Sequence, residues 1–176
     1  MRTVSVVALF LLVGLVAGCR PQPRPVAAAS DTAAAAVDPF VGEWRAKLQF
    51  TTGAFAPVKD LEFMYVFNHG GTMTESSNYD ASPPVPPAYG IWRKVGERAY
   101  ELKYEFYVTK APAAFADIAK GGGWAPAGRG VFIEQITLSA DGKGYTSKIR
   151  YDQFDTAGNP AEGGGEATAQ GVRLEF

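Results

Sequence analysis

The chain has 176 residues, with 17 Lys and Arg against 18 Asp and Glu, one His and one Cys. The near-balance of charge points to neither nucleic acid nor a strongly charged partner. A single cysteine rules out an intramolecular disulfide, and one histidine leaves a transition metal without its set of N and S ligands. Eleven Phe, eight Tyr, three Trp and twenty Gly favour an all-β chain rich in turns.

Residues 1–18 carry a basic Arg2, an apolar run from Val4 to Val16 broken only by Ser5 and Gly14, and small residues leading into Cys19. This is the layout of a secretory signal, too short and too soon followed by Arg and Pro for a membrane span. Val16-Ala17-Gly18-Cys19 resembles the lipobox of bacterial lipoprotein signals. The resemblance implies cleavage before Cys19, lipidation of its thiol and acylation of the new N-terminus. Two or more acyl chains make attachment durable. Arg20 follows, with no Asp there to suggest inner-membrane retention, and in a two-membrane bacterium the resemblance then implies the periplasmic face of the outer membrane. Cleavage would leave 158 of the 176 residues, and loss of Arg2 would set 16 basic against 18 acidic side chains, a formal −2.

Residues 19–37 form a Pro-rich then Ala-rich stretch without an amphipathic face. It reads as a tether, at most roughly 60 Å long when fully extended.

From Asp38 to Phe176 the period is two. Trp44, Ala46, Leu48 and Phe50 alternate with charged and polar residues, and Leu61, Phe63, Tyr65 and Phe67 form a second apolar row. Asn68-His69-Gly70-Gly71 is a turn, followed by a more polar strand over Thr72–Tyr79. Asp80–Pro87, with four prolines, is a loop. A strand over Tyr89–Val95 turns at Gly96-Glu97 into another whose apolar row is Tyr100, Leu102, Tyr104, Phe106 and Val108. Thr109–Arg129 reads as a long loop, with a short helix over Ala113–Lys120 stopped by Gly121-Gly122-Gly123. The last strands are Gly130–Leu138, Gly144–Phe154 and Glu166–Leu174, with turns at Asp141-Gly142 and Gly158-Asn159-Pro160.

Eight successive strands with mostly short links predict a single antiparallel up-and-down β-barrel, since closure removes exposed edges. Gly42-Glu43-Trp44 is similar to the Gly-x-Trp entry of lipocalins, and Arg173 stands where their arginine covers that tryptophan. With Phe67-x-x-x-Gly71-Thr72 and Gly90-Ile91-Trp92-Arg93, the pattern resembles lipocalin-like (calycin-type) barrel domains of bacteria over residues 40–176. Barrels of the allene oxide cyclase and dirigent type share the same coarse pattern.

Chemistry-bearing residues are few. His69 reads as an exposed turn residue, and the glycine triplet lacks the Lys-Ser/Thr of a phosphate loop, so neither metal nor cofactor is expected. Glu134 shares the parity of Phe132, Ile136 and Leu138. Facing inward, it would have a raised pKa and serve as an acid, base or ligand anchor, with Arg150 on the next strand as its partner. The opposite parity, with Ile133 inward, or a place at the barrel mouth is equally open. Phe63, Tyr65, Phe67, Tyr100, Tyr104 and Phe106 would line a ligand cavity or simply fill the core. Trp124 and Phe115 would cover the mouth, with the proline-rich loop as the opposite rim.

Three functions fit these features. The first is a membrane-anchored module that binds a small hydrophobic molecule. The second is a structural lipoprotein that binds an envelope protein. The third is a cyclase- or isomerase-type enzyme using Glu134. Interior volume separates them, because ligand cavities begin at about 300 Å³.

Overall fold

In the first strand, β1 (Gly42–Phe50), Trp44, Ala46, Leu48 and Phe50 are buried while Glu43, Arg45 and Lys47 stay exposed. The same alternation buries Leu61, Phe63, Tyr65 and Phe67 of β2 (Leu61–Phe67). A computed structural model describes residues 37–79, 86–120 and 122–176. The expected signal, Cys19 and all of the tether but Val37 lie outside the described residues, as do positions 80–85 of the proline-rich loop.

The remaining strands are β3 (Thr72–Ser77), β4 (Ala88–Lys94), β5 (Ala99–Lys110), β6 (Ala125–Leu138), β7 (Gly144–Phe154) and β8 (Pro160–Arg173). Each pairs antiparallel with its sequence neighbour, and β8 returns to β1, so the protein is a closed eight-stranded up-and-down barrel. Every inner position therefore comes from one parity of each strand, and the core is a single aromatic-rich cluster.

Two regions depart from the expected pattern. The long loop is shorter than Thr109–Arg129, because β5 and β6 stay paired out to Lys110 and Ala125 past an irregularity at Val108/Thr109. Backbone pairing persists there although Ala125, Pro126, Ala127 and Gly128 carry no apolar alternation. The helix in the remaining loop is a single turn, α1 (Ala116–Ala119), with no buried residue. Likewise β8 begins at Pro160 rather than Glu166, pairing with Phe154 and Gln153 before a register shift near Tyr151.

One end of the barrel is closed by aromatic packing. Phe40 is fully buried and stacks on Phe67 at 4.1 Å and on Tyr100 at 4.3 Å, with Trp92 against its edge. The Trp44 indole donates to the Phe40 carbonyl at 3.0 Å. Arg173, opposite Trp44 in the β1–β8 register, lies over that ring at 4.4 Å. Its guanidinium also donates to the carbonyls of Val41 at 2.9 Å, Gly142 at 3.2 Å and Pro39. Gly42 makes room for this arrangement. Its φ is +132°, and a Cβ there would come within 2.6 Å of the Arg173 Nη1.

Candidate functional site

Among the described residues, the opposite end of the barrel is not filled by packing. It holds a cavity of about 280 Å³ with walls from Phe50, Leu61, Phe63, Phe106, Phe132 and Tyr151. That volume falls just short of the usual range for small-molecule sites, which starts at about 300 Å³. The expected rim residues are placed differently from their prediction. Phe115 is 85% exposed, and neither it nor Trp124 lines the cavity. The covering aromatic is Phe55, from the β1–β2 loop, packed against Phe50 at 5.4 Å, Tyr151 at 5.7 Å and Tyr79 at 5.9 Å. That loop is docked by Gly53, whose φ of +81° and missing Cβ let it lie against the Gly164 carbonyl. Pro86, from the proline-rich loop, does reach the cavity wall.

Beneath the cavity the barrel interior carries polar groups from four strands. Glu134 faces inward on β6 and is 0% exposed. Its Oε2 accepts from the Tyr65 hydroxyl at 3.2 Å and lies 3.4 Å from that of Tyr104, and the two hydroxyls are 3.1 Å apart. Tyr104 is fixed by stacking on Phe132 at 4.9 Å, and inward-facing Gly90 leaves it space, since a Cβ there would meet the Tyr104 Cβ at 2.4 Å. Burial raises the Glu134 pKa to about 7, although the Ser147, Tyr65 and Tyr104 hydroxyls pull it down. Ser147 is near enough to exert that pull, yet its Oγ and the Glu134 Oε1 complete no hydrogen bond of good geometry. The Tyr145 hydroxyl is also without a partner among the described residues.

The expected pairing of Glu134 with Arg150 does not form. Ile149 and Tyr151, which flank it on β7, face inward, so Arg150 stands outside the barrel and pairs with Asp152 at 2.9 Å. In the β6–β7 register its neighbour is Ile133, and Glu134 is opposite Ile149.

A second acid emerges instead. Glu75 follows the parity of Met73 into the barrel, is 7% exposed, and contributes to the cavity wall. Its Oε1 has no hydrogen-bond partner among the described residues. Burial first, and the Glu134 charge second, push its pKa up to about 8. Both acids thus keep their protons to higher pH than a free carboxyl does. Among the described residues, no three His, Cys, Asp or Glu side chains gather as a metal-ligand set. His69 is exposed in the β2–β3 turn.

The aromatic candidates divide by level. Phe63 and Phe106 line the cavity. Tyr65 and Tyr104 belong to the polar layer below it, and Phe67 and Tyr100 pack the closed end. The Tyr100 hydroxyl donates to Asp38 at 2.7 Å, and Lys94 completes that cluster at 3.2 Å. No family model matches the chain, and searches of curated proteins and of solved structures return no match.

Proposed function

We propose that the protein is a binding module of the bacterial cell envelope, held by a lipid on Cys19 at the periplasmic face of the outer membrane. In this reading a lipocalin-like barrel carries a small, largely hydrophobic molecule in its open end. The observation that supports it best is the cavity itself. An eight-stranded barrel is narrow enough to be filled by its own side chains, and here aromatic packing fills one end while about 280 Å³ at the other stays open. Apolar walls with one buried polar group fit the usual make-up of ligand sites.

Native mass spectrometry of protein made in its own host tests this reading. A bound adduct is expected, and it should be released by organic solvent. Leu61→Trp, which puts an indole into the cavity, should abolish the adduct without unfolding the barrel. Absence of an adduct, together with no displaceable binding of an apolar fluorophore, would overturn the reading.

A proton-transferring cyclase or isomerase is the second reading. It draws on Glu75, which lines the cavity, more than on Glu134, which lies below it. A carboxyl poised near neutral pH suits such chemistry.

A further inference from the structure

We propose that the ligand of the cavity is an amphiphile ending in an ammonium group, its tail among the aromatic walls and its cation against Glu75. This rests on the ligand-binding reading above and specifies the polar end of the ligand.

Glu75 is the one carboxyl on a largely apolar cavity wall, whose other polar side chains are Thr109, Gln153 and tyrosine hydroxyls. Glu75 is buried, it faces the cavity, and one carboxyl oxygen is unpartnered among the described residues. A buried acceptor left without a donor is costly, so the site is complete only when something supplies one. The charges around it narrow the choice. Glu134 acts on Glu75 with the same sign, and the ion pairs among the described residues involve neither acid. Wherever either acid is ionised, a carboxylate ligand would meet a charge of its own sign. A hydroxyl would give the carboxyl a donor but leave the two acids opposed when ionised. An ammonium group supplies the donor and the missing charge together, as a charge-assisted hydrogen bond. Aromatic walls also suit a cation as well as they suit a tail.

Binding of a cation to Glu75 favours its ionised form, so the amine should displace a proton. Glu134 from β6, Tyr65 from β2 and Tyr104 from β5 act on Glu75 or feel its charge, Tyr79, Tyr107 and Tyr151 share its cavity wall, and Tyr145 of β7 feels Glu134. Burial, ahead of the nearby acids, holds Tyr65, Tyr104 and Tyr145 far above neutrality, and burial raises Tyr151 to about 12. Glu134 and Glu75, raised to about 7 and about 8, are the acids that carry the pH dependence in this range.

The test compares decylamine, decanol and decanoate by isothermal titration calorimetry on the folded protein. Decylamine should bind at least about tenfold more tightly than decanol at pH 7.5, the scale of one charge-assisted bond. Its affinity should rise from pH 6 to 8.5, with proton release visible in buffers of different ionisation enthalpy. Decanoate should weaken over the same range. Glu75→Gln should bring decylamine and decanol to within about twofold of one another. If decanol or decanoate binds as tightly as decylamine, or if Glu75→Gln keeps the amine preference, the ammonium inference falls while the cavity stands as a binding site. If none of the three binds, the cavity reading itself fails and this inference with it.

Discussion

The Tyr65 hydroxyl donates to the Glu134 carboxylate at 3.2 Å, joining β2 to β6 across the middle of the barrel. This bond lowers the cost of keeping an acid in an aromatic interior, and it does so from a residue whose ring is itself fixed by stacking on Phe67 at 5.5 Å. Tyr65→Phe should remove the donor without changing the ring packing. The Glu134 pKa should then rise above its present value of about 7, and stability should fall by about 1–2 kcal/mol. Carboxyl NMR titration and urea unfolding measure the two effects. An unchanged Glu134 titration would mean the bond is not made in solution.

The two buried acids give the fold a pH dependence of definite sign. Unfolded, each would lose its proton near 4.5, whereas in the barrel Glu134 keeps it to about 7 and Glu75 to about 8. Between these limits the folded state binds more protons than the unfolded one. The stability they allow is thus fully present below about pH 4.5, falls as pH rises, and levels off above about pH 8. The thermal midpoint should drop between pH 5.5 and 8.5. Glu75→Gln combined with Glu134→Gln should remove most of that drop, worth a few kcal/mol at the alkaline end.

At the closed end, Gly42→Ala meets both a φ of +132° and the Arg173 guanidinium. A loss of about 1–3 kcal/mol is expected in chemical denaturation. Arg173→Lys should cost about 1–2 kcal/mol, because an ammonium group cannot reach three carbonyls and cover an indole at once.

Phe40 and Phe55 should separate stability from binding. Phe40→Ala empties the closed end and should cost about 3–5 kcal/mol in urea unfolding. Phe55 is only partly buried, so Phe55→Ala should cost under about 1 kcal/mol. It should nevertheless speed the release of an apolar fluorophore from the cavity, as stopped-flow mixing would show.

Cys19→Ser addresses the anchor. Labelling with a radioactive fatty acid should be lost, and the protein should move from the membrane fraction to the soluble one. Membrane association that survives the substitution would place the attachment elsewhere.

The barrel could be read from the chain because most of its strands carry a two-residue apolar rhythm, which the burial of Trp44, Ala46, Leu48 and Phe50 follows. Where that rhythm fails, so does the reading. The inner row of β3 begins with Met73 and Glu75, and with a single apolar residue in it the acid looked like part of a polar strand. Parity counted from Met73 was the available signal. Arg150 is the converse case, since its neighbours Ile149 and Tyr151 already claimed the inner face. The added lengths of β6 and β8 are mostly Gly, Ala and Pro, whose side chains carry no alternation, and they pair with Thr109, Lys110, Gln153 and Phe154. Phe55 took the place expected for Trp124 because a short loop docked by Gly53 holds it over the mouth.

Seven of the eight ladders join neighbours in sequence, but the eighth closes β1 onto β8, and there Arg173 reaches Val41 across 132 positions. In a disordered chain, meeting over that separation rather than over a hairpin loop of about five residues costs about 3 kcal/mol more in entropy. The seam is thus expected to form after the hairpins it connects, which places Arg173 and its three carbonyls among the late contacts of folding. Interactions made that late govern how slowly a protein comes apart rather than how fast it assembles. The residue that covers Trp44 is, in kinetic terms, the latch that sets the lifetime of the closed barrel.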